Sequence, residues 1–565
     1  MLAQREKILV VGMGPVGMTA ALALGRLGLP VTLLEKGADL STESRASTFH
    51  PSSLEILDEL GVAEEVIATG LKAPGFQYRG RNRELIAHLD MGLLAEDTRF
   101  PFRIQNEQGN LTRIIRRHLE KLPNVTMRYA APVDRVEVSD KAAYVYLPED
   151  GLDPSYVADW VIAADGASSA VRRSLGIAFD GVTYPERFLV ASTTHDFLGD
   201  FEDLSYVSYV YDPDDWGVLL RTPRHWRVLF PIYENESDTA ALDPARVEER
   251  LQGVVRLAEP YPVVHSTIYK VHQRIAARFA QGRVLLAGDA AHINNPLGGL
   301  GMNSGIQDAH AAVMAIRSAL EGNDPQRVVE VYARVRRDAA AKDVQIQTQR
   351  NYDEMRDRDA AQRRERKEQM AALARDPVKA RAYLRQTSML ASFDTSRRRM
   401  RRGLEPVRAP VVPPAGRRLS DSIAEAPLID PAVAVRVAGS GSGGEVVAAA
   451  ERDDVGLLVI PVGGEIDAGR FADAHKARRE VMLLALVPAN GLAAARAAAG
   501  AGADLVGVEG FPGADALREL RCASADVPLA LLDADTATLP DPTDLALLGV
   551  SLVIPDTGKH KDMRR

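Results

Sequence analysis

The chain has 565 residues, 46% of them hydrophobic and 26% charged, a composition that supports large folded cores and excludes wholesale disorder. Its net charge of −8 argues against nucleic-acid binding, and no apolar run is long enough for membrane insertion. The single cysteine, Cys522, excludes an internal disulfide and a thiolate-rich metal site and, with no evident signal peptide, predicts a cytoplasmic protein.

Residues 8–27 have the pattern of a buried strand, a glycine turn and a helix. The turn contains Gly12, Gly14 and Gly17 in the spacing GxGxxG. The first glycine permits a tight turn, the second lets a pyrophosphate approach the backbone, and the third allows the helix to pack closely on the strand. Glu35 ends the next strand, where its carboxylate can accept hydrogen bonds from ribose hydroxyls. These features predict a dinucleotide-binding fold.

Two later segments each place an apolar strand before a loop that contains an aspartate. Residues 159–177 pass through Asp165, in an Asp-Gly pair, and reach Arg172 at the start of a predicted helix. Residues 282–316 contain the strand VLLAG, which ends at Asp289. A glycine-rich turn and a second predicted helix follow, and the first backbone N–H groups of that helix have no partner within it.

The order of these three motifs resembles that of the class A flavoprotein monooxygenases, the aromatic hydroxylases exemplified by 4-hydroxybenzoate hydroxylase, including their phenol hydroxylase relatives. The resemblance covers residues 5–395. In that family the GxGxxG, DG and GD motifs all lie on one FAD-binding domain. The resemblance therefore implies a mixed α/β (α+β) protein. It would combine an FAD-binding Rossmann-like GR2 fold, an inserted antiparallel-sheet substrate domain and a C-terminal α/β domain.

The resemblance also assigns FAD contacts to particular residues. It implies that Glu35 holds the adenosine ribose, that Asp289 binds the ribityl chain and that Pro296 lies beside the flavin ring. A helix N-terminus favours a negative charge, such as that of reduced flavin, by about 0.3–2 kcal/mol. The pyrimidine end of the ring is accordingly expected at the backbone of Gly301, Met302 and Asn303.

Four further residues receive cofactor roles from the same resemblance. Arg45 matches an arginine that contacts FAD, and Gln108 matches a glutamine ahead of the adjoining helix, with Gln105 as a competing alignment for that position. Asp165 and Arg172 are expected near the FAD pyrophosphate and in the productive use of NAD(P)H. An ordinary helix-surface arginine is the alternative for Arg172.

The substrate domain is predicted from β-branched and aromatic runs that proline and aspartate interrupt. We expect its sheet mainly in residues 76–105 and 180–275, and the resemblance makes this sheet the roof over the flavin ring. Period-two geometry places Tyr209 and Tyr211 on one face with Val207. Both tyrosines can hydrogen-bond a phenol, although a purely structural role in the core is the alternative for each.

Charged residues near this sheet supply further candidates. Arg221 or Arg227 can pair with a substrate carboxylate through a bidentate fork. His50 follows the loop expected to approach the flavin, and its ordinary pKa of about 6.5 suits deprotonation of a phenolic substrate. Surface arginines and a loop histidine without catalytic duty are the corresponding alternatives.

The expected chemistry comes from cofactors, because neither a GxSxG nor an HExxH motif is present. The resemblance implies that NAD(P)H reduces FAD, that O₂ is captured as a flavin 4a-hydroperoxide and that oxygen passes to an electron-rich aromatic ring. A halogenase or reductase of the same fold is the alternative enzyme. A binding or scaffold protein with a vestigial flavin site is the alternative from another class.

The domain organisation follows from a change in composition, since only two aromatic residues lie beyond Phe393. We predict a monooxygenase module over 1–395, with a long helical segment at 325–395 that includes a possible homodimer contact. A Pro/Arg-rich linker is expected over 396–418 and a small, noncatalytic α/β domain over 419–565. That domain weakly resembles part of an isocitrate lyase/phosphoenolpyruvate mutase barrel but is too short for the about 250 residues of a complete barrel.

Overall fold

The chain divides into two compact units, Met1–Leu404 and Glu405–Arg565. Among the described residues, no helix combines the length and the apolar character needed to cross a membrane. The computed structural model describes six stretches of the first unit, residues 4–41, 46–80, 83–148, 153–211, 216–356 and 360–404. In the second unit it describes six strands, residues 433–436, 455–461, 482–486, 505–509, 529–534 and 550–555.

The strands of the first unit are, in chain order, β1 (Gln4–Val11), β2 (Val31–Leu34), β3 (Thr48–Phe49), β4 (Leu71–Ala73), β5 (Gly75–Gly80), β6 (Leu85–Asp90), β7 (Arg103–Gln105), β8 (Val125–Arg128), β9 (Arg135–Val138), β10 (Ala143–Tyr146), β11 (Tyr156–Ala163), β12 (Phe179–Thr193), β13 (Val207–Tyr211), β14 (Gly217–Arg221), β15 (Trp226–Ile232), β16 (Val263–Ala276), β17 (Ala280–Gln281), β18 (Val284–Leu286) and β19 (His292–Ile293).

Its helices are α1 (Pro15–Arg26), α2 (Pro51–Glu59), α3 (Ala63–Ala68), α4 (Gln108–Leu119), α5 (Ala170–Ser174), α6 (Asp238–Ala241), α7 (Pro244–Val254), α8 (Leu300–Leu320), α9 (Pro325–Asp338), α10 (Ile346–Arg356), α11 (Ala360–Arg375), α12 (Pro377–Thr387) and α13 (Leu390–Leu404). Short 3₁₀ turns lie at Met91–Leu94, Phe197–Gly199 and Gly288–Ala290, and a π-helical segment lies at Ala339–Gln345.

The first sheet carries the glycine motif. Its main path is β17-β18-β11-β1-β2-β8, and the strands from β18 to β8 are parallel. The side chains of residues 8–11 are at most 4% exposed, as predicted for a strand covered on both faces. Because the strands run in the same direction, the carboxyl ends of β18, β11, β1 and β2 lie side by side.

The second sheet confirms the predicted antiparallel substrate domain. Its order is β19-β16-β12-β15-β14-β13-β5-β6, and only the β13–β5 pair is parallel. The range 76–105 contributes β5 and β6 to it. In contrast to the prediction, β7 belongs to a third sheet, because it pairs with β3 and β4.

Each face of the substrate sheet has its own core. One face, called here the tyrosine face, presents Phe76, Tyr78, Tyr209 and Tyr211. Trp226 and its neighbours occupy the opposite face, beneath α6 and α7. Val207 lies on the tyrosine face while Val210 packs on the opposite one, as the period-two prediction requires.

The region predicted as a long helical segment is divided into several helices, and the last of them is longer than expected. Helix α13 continues to Leu404, nine residues into the range 396–418 that was predicted as a linker. Arginine is a good helix former, so the arginines at 397–402 do not end the helix. The first proline of that range is Pro406, two residues beyond the end of the helix.

The second unit contains strands β20 (Val433–Arg436), β21 (Val455–Pro461), β22 (Met482–Leu486), β23 (Leu505–Glu509), β24 (Leu529–Ala534) and β25 (Val550–Pro555). They form one sheet in chain order, and every pair is parallel. The parallel strands agree with the predicted α/β class of this unit. The likeness to part of a barrel stays a prediction.

A buried carboxylate ties the end of β18 to two helices. Asp308 of α8 accepts hydrogen bonds from Gly288 N (3.0 Å), His292 Nε2 (2.8 Å) and Arg336 Nε of α9 (2.6 Å). The side chains of Asp308 and Arg336 are at most 1% exposed. Burial alone would raise the pKa of Asp308, but Arg336 and His292 outweigh it and hold that pKa below its ordinary value.

We expect Asp308→Asn to lower the free energy of unfolding by about 3–5 kcal/mol, because Arg336 would keep a buried charge without its counterion. Urea denaturation followed by tryptophan fluorescence measures this loss. All three tryptophans lie in the first unit, so the signal reports on that unit alone. The double variant Asp308→Asn/Arg336→Met should regain part of the loss. A single variant as stable as the wild type would contradict the prediction.

Candidate active site

Four predicted cofactor residues meet at one edge of the first sheet. Gly12 follows β1, Glu35 follows β2, Asp165 lies two residues beyond β11, and Asp289 lies in the turn after β18. Ligands of open α/β sheets bind beyond the carboxyl ends of the strands. Backbone hydrogen bonds hold the strand ends together: Gly12 N to Leu34 O (2.7 Å), Ala164 N to Val11 O (2.8 Å) and Ala287 N to Ala163 O (2.9 Å).

The three motif glycines have different surroundings. A Cβ on Gly12 would lie 2.4 Å from Ala164 O, and one on Gly17 would lie 2.0 Å from Gly12 O. Gly12 also has a φ of +99°, which favours glycine. At Gly14, by contrast, an added Cβ would meet no atom within 4 Å. The open space therefore lies at the N-terminus of α1, where a pyrophosphate is favoured.

Glu35 braces the same turn. One carboxylate oxygen accepts a hydrogen bond from Met13 N (2.8 Å), and the other accepts one from Gly37 N (2.9 Å). Each carboxylate oxygen has a second lone pair, so both can still accept hydrogen bonds from ribose hydroxyls. The position and the chemistry of Glu35 both fit the adenosine end of FAD.

The Asp165 carboxylate is only partly satisfied. Its Oδ2 accepts a hydrogen bond from Val171 N (3.2 Å), while the buried Oδ1 has no hydrogen-bond partner among the described residues. Burial raises the pKa of this carboxyl. A buried oxygen with no partner among the described residues, close to Gly12 of the glycine turn, fits a group that binds a ligand.

Arg172 links the DG loop to the GD turn. Its guanidinium donates to Ala290 O (2.8 Å) and Ala167 O (2.9 Å) and lies 3.7 Å from the ring centre of Phe179. The side chain is buried, in contrast to an ordinary helix-surface arginine. These contacts give Arg172 a positioning role between two cofactor loops, and its predicted part in the use of NAD(P)H stays a prediction.

The residues expected around the flavin ring lie on the turn that leads into α8. Asp289 and Pro296 are exposed, and α8 begins at Leu300 after Gly299 in the left-handed region (φ +69°). The first N–H groups of a helix have no partner within it. Those groups belong to the segment expected to meet the pyrimidine end of the flavin, at Gly301, Met302 and Asn303.

The side chain of Asn303 fastens this turn to β3. Its Oδ1 accepts a hydrogen bond from His50 N (2.8 Å), and its Nδ2 donates to Thr48 O (2.8 Å) and Gly299 O (2.7 Å). The amide is fully buried. The side chain of Asn303 is therefore engaged within the protein and is not free to contact a flavin.

His50 is completely buried beside the same turn. Its Nε2 donates to Gly298 O (2.9 Å), and its Nδ1 has no hydrogen-bond partner among the described residues. Burial and the nearby charge of Arg103 lower the pKa of His50 to about 3. The ordinary pKa assumed from the sequence does not hold here. The neutral imidazole keeps its single proton on Nε2 and can accept a hydrogen bond through Nδ1, but at neutral pH it does not take up a second proton.

The candidate substrate residues divide between the two faces of their sheet. Tyr211 stacks on Tyr78 with ring centres 5.3 Å apart, and Tyr209 stacks on it at 5.4 Å. Arg221 lies 5.8 Å from the ring centre of Trp226, on the opposite face. The structure therefore does not bring Arg221 together with the tyrosines, because strand register turns its side chain away.

Arg227, in contrast to Arg221, lies on the tyrosine face of the sheet. It alternates with Trp226 along β15 and is buried, and its guanidinium donates to Ser47 Oγ and Tyr269 OH, both at 3.4 Å. Ser47 immediately precedes β3, which is tied to the start of α8 by the hydrogen bond from Asn303 Nδ2 to Thr48 O. Of the two arginines proposed from the sequence, Arg227 is the one directed towards the cofactor side.

The remaining cofactor candidates are resolved to different degrees. Arg45 lies outside the described residues. Gln108 is the first residue of α4, and its backbone N donates to Ala46 O (2.9 Å), the residue that follows Arg45 in the sequence. The competing Gln105 is buried in β7. Its Oε1 accepts a hydrogen bond from Thr48 Oγ1 (2.9 Å), and its Nε2 has no partner among the described residues.

Sequence reasoning missed Arg103, which is 3% exposed. Its guanidinium carbon lies 4.1 Å from the ring centre of Phe76. No hydrogen-bond or ion-pair partner for this guanidinium is present in the part of the chain that the structure describes. The available signal was an arginine between two apolar side chains, Phe102 and Ile104, in the short run PFRIQ.

The family of the chain is established by comparison with known proteins. Residues 5–347 match the family model described as an FAD binding domain, and the chain belongs to this family. It is similar to para-nitrophenol 4-monooxygenase of Pseudomonas sp. (strain WBC-3), with 34% identity over 63% of this chain and 89% of that protein. It is also similar to 6-hydroxy-3-succinoylpyridine 3-monooxygenase HspB of Pseudomonas putida (strain DSM 28022 / S16), with 32% identity over 60% of this chain and 85% of that protein.

A solved structure gives the same result. The crystal structure of p-nitrophenol 4-monooxygenase PnpA from Pseudomonas putida DLL-E4 has a TM-score of 0.65 and 32% identity, and the match covers 70% of this chain and 99% of that chain. The predictions of the flavoprotein fold, of FAD as cofactor and of a monooxygenase are thereby confirmed.

The surroundings of Gly14 and Gly17 predict different effects of an alanine substitution at each position. Gly14→Ala should leave the free energy of unfolding of the FAD-free protein unchanged but weaken FAD binding, because the methyl group enters only the open space. Gly17→Ala should lower that free energy by about 1–3 kcal/mol, because the methyl group meets Gly12 O. Urea denaturation and titration with FAD measure both effects. Equal stability losses would contradict the assignment.

The burial of His50 predicts a specific pH dependence of stability. The unfolded chain binds a proton below pH 6.5 that folded His50 binds only near pH 3, so this contribution is present above pH 6.5 and falls as the pH is lowered. In His50→Gln the dependence should be shallower by up to about 1.4 kcal/mol per pH unit.

Urea denaturation on both sides of pH 6.5 measures this difference, with His88→Gln, at an exposed histidine, as the matched control. Parallel pH profiles for wild type and His50→Gln would show that His50 is not buried in its neutral form.

Proposed function

We propose that the chain is an FAD-dependent monooxygenase that uses NAD(P)H and O₂ to hydroxylate a ring that already bears a hydroxyl group. The observation that carries the proposal is the meeting of Gly12, Glu35, Asp165 and Asp289 at four adjacent strand ends, around the open space at Gly14. The substrate class is supported by the printed names of the relatives, para-nitrophenol and 6-hydroxy-3-succinoylpyridine monooxygenases.

Each end of the cofactor has suitable groups in this arrangement. The N-terminus of α1 and the backbone at Gly14 receive the pyrophosphate, and Glu35 accepts hydrogen bonds from the ribose. Asp289 binds the ribityl chain, and the first turn of α8 faces the pyrimidine end of the ring, where its N–H groups stabilise negative charge. When bound, FAD supplies electrons taken from NAD(P)H and activates O₂ for transfer to the ring.

The chain's own residues position the substrate and exclude water. Tyr211, the partly exposed member of the stacked tyrosines, offers a ring against which an aromatic substrate can pack. The hydroxyls of Tyr78 and Tyr383, 2.8 Å apart, join this sheet to α12 and close the region from that side. His50 Nδ1 accepts a hydrogen bond from the substrate or the flavin without taking a full proton, because the imidazole stays neutral.

We also propose that Arg172 supports the use of NAD(P)H by fixing the DG loop against the GD turn, so that the cofactor loops keep their spacing. The supply of NAD(P)H favours the cytoplasm as the place of action. The homodimer expected from the charged helices stays a prediction.

Oxygen labelling tests the function directly. The protein with FAD, given NAD(P)H, ¹⁸O₂ and 4-nitrophenol or another simple phenol from a panel, should oxidise NAD(P)H faster than without the phenol. One ¹⁸O atom should appear in each product molecule. The same experiment with H₂¹⁸O and unlabelled O₂ is the control and should leave the product unlabelled.

Other outcomes would identify the alternative functions. A product that requires halide would support a halogenase. NAD(P)H oxidation without oxygen in any product would support a reductase. Failure to bind FAD at all would support a scaffold protein and would contradict the proposal.

A further inference from the structure

Arg103 carries a buried positive charge that nothing in the described part of the chain neutralises. It lies in β7, opposite Ala73 of β4, and is 3% exposed. Its Nε is buried and has no hydrogen-bond partner among the described residues, and the ring of Phe76 and the imidazole of His50 lie near it. Because a buried charge is costly unless it is paired, this geometry favours an anionic ligand at Arg103.

Other unmatched polar atoms lie near the same place. Arg103 and Gln105 are two residues apart in β7, so their side chains project from the same face. Gln105 Nε2 is a donor to which no described residue offers an acceptor, while Gln105 Oε1 accepts a hydrogen bond from Thr48 Oγ1. Thr48 in turn lies against the turn that leads into α8, because a Cβ on Gly299 of that turn would lie 3.2 Å from Thr48 Cβ.

The position of Phe76 indicates which ligand the Arg103 guanidinium would meet. Phe76 belongs to β5 of the substrate sheet and lies edge-on to Tyr209, with ring centres 6.3 Å apart. The Arg103 guanidinium, 4.1 Å from the Phe76 ring centre, is therefore at the border between the tyrosine face and the turn near Gly298. A substrate that packs on the tyrosine face would meet it.

We infer that Arg103 donates charge-assisted hydrogen bonds to the anionic oxygen of the aromatic substrate, the phenolate of a phenol, with Gln105 Nε2 as a second donor. The inference rests on the proposed function and adds a specificity-determining residue to it. A guanidinium stabilises the ionised phenol relative to a neutral ring of the same size, so the enzyme selects substrates that bear an anionic oxygen.

Binding of two matched probes tests this inference. Spectral titration with 4-nitrophenolate and with its methyl ether, 4-nitroanisole, gives a Kd for each probe with the FAD-loaded wild type, Arg103→Met and Arg103→Lys. The wild type should prefer the phenolate. In Arg103→Met the Kd for the phenolate should rise on the order of 10- to 100-fold, while that for the ether should change little. Arg103→Lys should keep part of the preference because it keeps the charge.

A matched control is available at Arg99, which is 76% exposed and pairs with Asp58 at the surface. Arg99→Met should have wild-type Kd values for both probes. FAD content and the reduction potential of the bound flavin are measured in all variants. They should be unchanged, because Arg103 is assigned to the substrate and not to the flavin.

Three results would overturn the inference. An equal loss of affinity for phenolate and ether in Arg103→Met would mean that the side chain only fills space. A shifted flavin potential with an unchanged phenolate Kd would assign the charge to the flavin. A wild type with no preference for the phenolate, including one that binds neither probe, would remove the anion site. Failure of the proposed function is distinct, since it would appear as phenolate binding without labelled product.

Discussion

The carboxylate of Asp308 holds the FAD-binding unit together, because it joins the turn after β18 to helices α8 and α9. It receives the backbone N–H of Gly288, the ring of His292 and the guanidinium of Arg336, all inside the core. The turn after β18 thereby keeps a fixed distance from α8, whose first turn faces the expected flavin ring. Gly288 and Gly305 both pack on Val16 of α1, where an added Cβ would lie 2.8 and 2.5 Å from its Cγ2, so the glycine motif joins the same assembly.

Two buried arginines show how stability and function divide in this fold. Arg336 is matched by Asp308 and by the hydroxyl of Ser396, so its charge contributes to the rigidity of the scaffold. Arg103 is equally buried, yet the described residues give it only an aromatic ring. The network around Asp308 fixes the loops that are expected to hold the cofactor. The guanidinium of Arg103, which has no counterion among the described residues, remains available to a ligand. His50, near Arg103, is neutral, because burial and the charge of Arg103 lower its pKa to about 3.

Structural features that depend on a local sequence pattern could be predicted from the sequence. The roles of Gly12, Gly14 and Gly17 follow from their spacing, and alternation along β13 predicts a common face for Tyr209 and Tyr211. Features that depend on distant pairing were not predictable. Arg221 and Arg227 are equivalent in sequence, and only the register of β14 and β15 separates their faces.

The properties of Arg103 and His50 depend on tertiary contacts as well. Strand β7 lies next to β3 and β4 through pairings between residues at least 30 positions apart in sequence, which no local pattern specifies. Those pairings bring Arg103 towards His50 and bury both side chains. The shifted pKa of His50 is a consequence of this burial, so a sequence-based expectation has to start from the ordinary value.

A crystal structure of the protein grown with FAD and 4-nitrophenol tests the central claim most directly. The account predicts one FAD with its pyrophosphate at Gly14, its ring at the first turn of α8 and the phenolate oxygen within hydrogen-bond distance of Arg103. A flavin bound elsewhere, or a ring turned away from the tyrosine face, would contradict it.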